Sequence, residues 1–268
     1  MSINDSDPTS AASALDPGPL SSPLVTEPTT SDLRPAPAQG KAWLLMLAAG
    51  LIAGTVSWLV GEALNDRIQP QLLSTGGVPT AEEAAAGASG TRKAVAMQVS
   101  LAFGSLGAAL GLGLGLVGGV LRGSSRSTRN GAILGTILGG ALGAITPQLL
   151  LPIYFRFYNP DSDDMVLALL IQGGIGAAVG AAGGVAFGVG KRGRTTQTVV
   201  GGVIGALAGT LAYELAGALA FPLDETSKPI AATTVARLLG RLLVATFAAA
   251  GVVMVENAVS KKTTSPEV

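Results

Sequence analysis

The chain contains no cysteine and no histidine. The first absence removes disulfides, thiol chemistry, thiolate metal sites and lipid attachment at cysteine. The second removes histidine general-base catalysis. Charge is scarce as well: Asp, Glu, Lys and Arg make up 13% of 268 residues, about half the usual share. The 17 basic and 17 acidic residues balance, so no basic surplus exists for nucleic acid, and none is expected as a partner. No Walker motif, zinc-ligand spacing or serine nucleophile elbow occurs. Gly113-Leu-Gly115-Leu-Val-Gly118 spells Gly-x-Gly-x-x-Gly, but it lies inside an apolar run with no strand before it. No catalytic pair, metal or cofactor is therefore expected, and the chain reads as non-enzymatic.

What remains is apolar and rich in glycine. Mean hydropathy is +0.51, and 38 residues are glycine, roughly twice average usage. Six runs are long enough to cross roughly 30 Å of hydrocarbon. They are about Ala42–Leu64, Ala94–Leu121, Gly131–Ile153, Met165–Gly190, Val199–Phe221 and Ile230–Val255. The expected fold is all-α: a polytopic bundle of six transmembrane helices over residues 41–257, with the lipid bilayer as its solvent. Pro147 predicts a kink in the third helix.

Residues 1–40 are rich in Ser, Thr, Pro and Ala and lack apolar periodicity, so a disordered tail is expected there. They carry no basic start before an apolar core, so the start does not read as a signal peptide. Residues 258–268 form a short second tail. In the stretch before the second span, Thr80-Ala-Glu-Glu83 matches a capping box and predicts a short separate helix. Asp161, Asp163 and Asp164 read as a solvated turn, with divalent-ion binding as the sharper alternative.

Basic residues segregate by side. Arg34, Lys41, Arg122, Arg126, Arg129, Lys191, Arg192, Arg194, Lys261 and Lys262 fall on one side. Arg67, Arg92, Lys93, Arg156 and Lys228 fall on the other, with most of the loop acids, including Asp66, Glu82, Glu83, Asp224 and Glu225. The positive-inside rule then places both termini in the cytoplasm of a multi-pass cell-membrane protein. Trp43 on the inner side and Tyr154, Phe155, Phe157, Tyr158 and Phe221 on the outer side fit interfacial anchors.

Glycines repeat at spacing four. Gly107, Gly111, Gly115 and Gly119 map onto Gly176, Gly180, Gly184 and Gly188 at an offset of 69 residues, and a basic loop follows each. Gly135 and Gly139 then map onto Gly205 and Gly209, and Gly50 and Gly54 resemble the latter pair. The expectation is a glycine zipper in three helical hairpins, related by a pseudo-three-fold along the membrane normal. This plan resembles that of the mitochondrial carriers in architecture only, because their Pro-x-acid-x-x-base signature is absent: Gln-Leu-Leu follows Pro147, and Ile-Tyr-Phe follows Pro152. Glycines four apart nearly align on a helix and let backbones approach closely. The stripes therefore read as packing faces, within the chain or against a second copy or a partner membrane subunit, with a small-residue pore or a sliding interface as the functional alternative.

Ionisable groups inside spans point to function. Glu214, Arg237 and Arg241 lie in the fifth and sixth helices, about 12 Å or more from their outer ends, and the short connection between these helices predicts a Glu214–Arg237 pair. Glu62, Gln98, Gln148 and Gln172 fall at the same end of their helices. The sharp reading is a polar site open to the outside, used to move or sense a small solute or ion. The bland one is a buried network that sets helix register in a structural or assembly subunit.

Overall fold

The computed structural model describes residues 38–65, 67–68, 80–157, 165–220 and 229–264. The N-terminal tail up to residue 37 lies outside them. So do Asp66, Tyr158, Asp161, Asp163, Asp164, Phe221, Asp224, Glu225 and Lys228.

The described residues form six helices: α1 (Ala38–Asn65), α2 (Ala81–Arg122), α3 (Ser125–Phe157), α4 (Met165–Lys191), α5 (Thr195–Ala220) and α6 (Thr234–Thr264). Each is long and apolar enough to cross a membrane. The described part of the chain is thus all-helical, and its six candidate spans mark a multi-pass membrane protein.

Several helix bounds differ from the expected runs. The capping box at Thr80 starts α2 itself, not a separate helix. Thr80 Oγ1 accepts from the Glu83 N–H at 3.3 Å, and Glu83 Oε2 accepts from the Thr80 N–H at 2.8 Å. No proline follows until α3, so nothing stops the helix before the apolar run. At 42 residues and 1.5 Å per residue, α2 is about twice as long as the hydrocarbon is thick, so Arg92 and Lys93 sit on a protruding helix. The sixth helix starts at Thr234 rather than Ile230, with the Thr233 hydroxyl accepting from the Ala236 N–H at 3.3 Å. α3 runs through both Pro147 and Pro152. The carbonyls of Gly143 and Gln148, four residues earlier, lose their helical donors there.

Each helix packs beside its neighbour in sequence, and α1 also packs on α6, closing a ring. α2 and α4 touch across the interior, and both reach α6. One core cluster fills this centre, with Leu106, Leu110 and Leu114 of α2, Val179 and Phe187 of α4, and Val244 and Val252 of α6. A smaller cluster near the Glu62 end joins Val99, Leu151, Tyr154, Ile171 and Ile175.

Small residues meet inside, while Ile52, Ile137, Leu149, Leu170 and Leu219 face outward. Lipid is as apolar as these aliphatic side chains, so close backbone packing has to hold the helices together. At the α2–α3 contact, a Cβ on Gly111 would strike the Gly135 carbonyl oxygen, and one on Gly107 would strike that of Gly139. Gly115 meets Gly131, and Gly119 meets Thr128. Gly180 faces Gly202 between α4 and α5, while Gly176 faces Thr210, Gly184 faces Thr198 and Gly188 faces Thr195. Gly205 and Gly209 of α5 press against Phe247 and Leu243 of α6, and Gly50 and Gly54 of α1 against Ala245 and Leu242.

Candidate functional site

Charged side chains gather where α1 ends and α6 begins. Glu62 lies three residues before the end of α1, and Arg237 three residues after the start of α6. The two helices run antiparallel, so both residues fall at one depth, about 5 Å in from the helix ends. Arg237 Nε donates to Glu62 Oε1 at 2.7 Å, and Nη2 to Oε2 at 2.8 Å. This is the two-pronged guanidinium–carboxylate geometry, the strongest form of ion pair. Arg237 Nη1 also donates to the carbonyls of Ala231 and Ala232, at 2.9 and 3.0 Å. It therefore fixes the approach to α6 as well as the α1 contact.

The Glu214–Arg237 pair is not formed. Arg237, Arg241 and Ala245 lie along one stripe of α6, and that stripe faces α1. Gly240, Leu243, Phe247 and Gly251 form the stripe that faces α5, against Tyr213, Gly209, Gly205 and Gly201. The late start of α6 also moves Arg237 nearer the helix end, while Glu214 lies six residues inside α5. Glu214 is 5% exposed, and neither carboxyl oxygen has a hydrogen-bond partner among the described residues.

Arg241 sits one turn deeper than Arg237. Its Nη1 donates to the Ser57 carbonyl at 2.5 Å, which is its one hydrogen-bond acceptor among the described residues. The guanidinium occupies the space beside Gly61 where a Cβ would otherwise be. Gly61 falls eleven residues from Gly50, three helical turns on, and so continues the Gly50–Gly54 face of α1. Ser57 is held in turn by α2: its hydroxyl donates to the Ala102 carbonyl at 2.8 Å.

Beside these arginines lies a cavity of about 70 Å³, walled by Gln98 and Phe103 of α2, Gln172 of α4, Thr210 and Tyr213 of α5, and Arg237 and Arg241 of α6. A single water needs about 10–15 Å³ of such space, so the cavity has room for several waters or a small ion. Of the residues singled out in the sequence, Gln98, Gln172, Arg237 and Arg241 line it, and Glu62 joins through Arg237. Gln148 does not: its Nε2 donates to Ser100 Oγ at 2.8 Å and ties α3 to α2. Glu214 does not line it either. Ser57, Gly61, Thr210 and Tyr213 were not singled out. The extension of the glycine spacing to Gly61 was the one signal that marked a close approach there.

Two arginines and one carboxylate leave this cluster with a surplus of positive charge. Arg241 has more donors than the one acceptor described for it, and the residue lines the cavity. Such an arrangement can hold a small anion through charge-assisted hydrogen bonds, with the glutamines and Tyr213 as further polar contacts. Among the described residues no group of three or more acidic side chains is placed to hold a metal ion.

At the opposite end, Lys191 of α4 pairs with Glu256 of α6. Arg122 Nη1 donates to Ser127 Oγ at 2.9 Å, and Arg126, Arg129, Arg192 and Arg194 are exposed. No protein family, curated protein or solved structure matches the chain.

Proposed function

We propose that the protein binds a small anionic solute at the Arg241 cavity and moves it across the membrane, or senses it. The observation that carries this reading is the position of Arg241. It is a deeply placed charge with a single backbone acceptor, beside a largely apolar cavity that Gln98, Gln172 and Tyr213 also line. Glu62 is hydrogen-bonded to Arg237 and also acts on Arg241 through space, but one carboxylate leaves the two arginines with net positive charge to attract a ligand. An isolated positive charge at this depth costs several kcal/mol, and a bound anion would offset that cost.

The helix arrangement supports a pseudo-three-fold scaffold around the site. α1 lies between α6 and α2, α3 between α2 and α4, and α5 between α4 and α6. α2 and α4 run parallel: Leu114 packs on Gly183, and Gly118 on Phe187. Each of these pairs is separated by 69 residues, the spacing that relates Gly107 to Gly176. The glycine ribs serve this scaffold as packing faces. They meet other helices of the same chain, which favours a solute site over an assembly subunit that would need those faces for a partner. The distribution of basic loops supports a cavity on the non-cytoplasmic side, with both termini in the cytoplasm.

The test is uptake of labelled small anions, carboxylate and inorganic, by proteoliposomes holding the wild-type chain or the Arg241→Gln variant. Melting temperature in detergent is followed in parallel. Uptake lost in a variant of normal stability supports the reading. Uptake unchanged in that variant overturns it.

A further inference from the structure

The basic end of the bundle carries a second site. The α2–α3 and α4–α5 connections lie side by side there and enclose an open groove of about 560 Å³. Arg122, Arg126 and Arg192 line it, with Ser127, Asn130 and Thr195 between them. No carboxylate lines the groove among the described residues. Glu256, the described carboxylate at this end, is taken by Lys191.

The backbone of this groove is unusual at one position. Both connections end their helix in the same way. After α2, the Gly123 N–H bonds the Val120 carbonyl, and the Ser124 N–H that of Gly119. After α4, the Arg192 N–H bonds the Val189 carbonyl, and the Gly193 N–H that of Gly188. This cap needs a left-handed residue, which is normally glycine. Gly123 supplies it with φ 71°, but in the second loop Arg192 takes it with φ 54°. A bulky side chain is disfavoured there, and Gly193 follows directly without taking the position. Arg192, on this strained backbone, lines the groove together with Arg122 and Arg126. Arg122 is itself oriented by its bond to Ser127.

Three guanidinium groups with no facing carboxylate suit a phosphate, whose oxygens accept paired N–H donors. The groove begins where the apolar runs of α2 and α4 end, at the level of lipid headgroups. We propose that it holds the phosphate of an anionic membrane phospholipid.

The test uses the full chain in a zwitterionic detergent at constant ionic strength. Melting temperature is followed while phosphatidylglycerol, phosphatidylcholine or inorganic phosphate is titrated in. Phosphatidylglycerol is expected to raise it saturably and phosphatidylcholine to leave it unchanged. Arg192→Gly is the discriminating variant. Glycine suits the left-handed cap, so the lipid-free melting temperature holds or rises, yet apparent lipid affinity falls on the order of fivefold. Arg126→Gln combined with Arg192→Gly weakens it further. Arg194→Gln, whose side chain does not line the groove, keeps the wild-type isotherm. Equal phosphatidylglycerol shifts in the wild type and the double variant overturn the proposal. So does an equal response to phosphatidylcholine, or to inorganic phosphate alone.

Discussion

Arg237 reaches across to Glu62 on α1, 175 residues away in sequence, and not to Glu214 on the helix next to its own. Its two parallel hydrogen bonds bolt the first turn of α6 to the last turn of α1, closing the helical ring at that end.

Breaking this pair from one side strands a charge. Glu62→Leu alone, or Arg237→Leu alone, is expected to cost about 2–3 kcal/mol. That is somewhat below the about 3–5 kcal/mol typical of fully buried pairs, since the side chains are 24% and 12% exposed. The double replacement is expected to recover much of that loss, because two apolar side chains leave no unpaired group behind. Unfolding in detergent across the four-member cycle measures this. Additive losses would contradict the pairing.

Glu214 predicts the opposite sign. Its carboxyl is buried without a hydrogen-bond partner, so its removal abandons no partner. Glu214→Leu is expected to stabilise the protein by about 1–3 kcal/mol. A destabilisation of similar size would show that Glu214 makes an interaction essential to the fold.

The glycines divide by what surrounds them. A Cβ at Gly111 would collide with the Gly135 carbonyl oxygen, whereas one at Gly87 meets nothing within 4 Å. Gly111→Ala forces two backbones apart and is expected to cost about 1–3 kcal/mol. Gly87→Ala lies on the protruding part of α2 and is expected to gain about 0.5–1 kcal/mol from helix propensity. Equal melting temperatures for the two variants would contradict the packing.

The cap at the start of α2 sets a pH dependence. The N–H and hydroxyl of Thr80 hold the Glu83 carboxyl below its ordinary value. A lowered acid contributes fully above its unfolded value, and the contribution fades as pH falls through the folded one. Amide exchange over residues 81–90 is therefore expected to accelerate, after correction for the intrinsic rate, as pH falls through that window. In Thr80→Ala it should be about fivefold faster at neutral pH, from the loss of about 1 kcal/mol of capping. Protection that ignores both changes would argue against the cap.

The spans were legible because each is a long apolar run, and for these the bilayer leaves the backbone no alternative to helix. The extension of α2 was only half legible. Thr80 and Glu83 marked a helix start, but continuity to Arg122 depended on the absence of a breaker between Gly90 and Ala94. The Glu62–Arg237 pair was not legible, since nothing local says that the first and last helices touch. Proximity along the chain favoured Glu214 for that role. What decided against it was which stripe of α6 carries the arginines, and that follows from the Gly50–Gly54 and Gly205–Gly209 contacts on its two sides. The cavity was legible in part: Gln98, Gln172 and the arginines were marked by polarity, whereas Thr210 and Tyr213 resemble ordinary packing residues.

The central claim is that Arg241 offers its charge to a small anion, and Trp58 is placed to report it. It adjoins Ser57, whose carbonyl accepts from Arg241, and Trp43 is the one other tryptophan. In a Trp43→Phe background, acetate, succinate, chloride and phosphate are titrated at constant ionic strength while Trp58 emission is recorded. The account predicts a saturable change with at least one of these anions, and binding weakened on the order of tenfold or more in Arg241→Gln, with an anion-free melting temperature that holds or rises. Emission that no anion shifts, or an isotherm identical in Arg241→Gln, would contradict it.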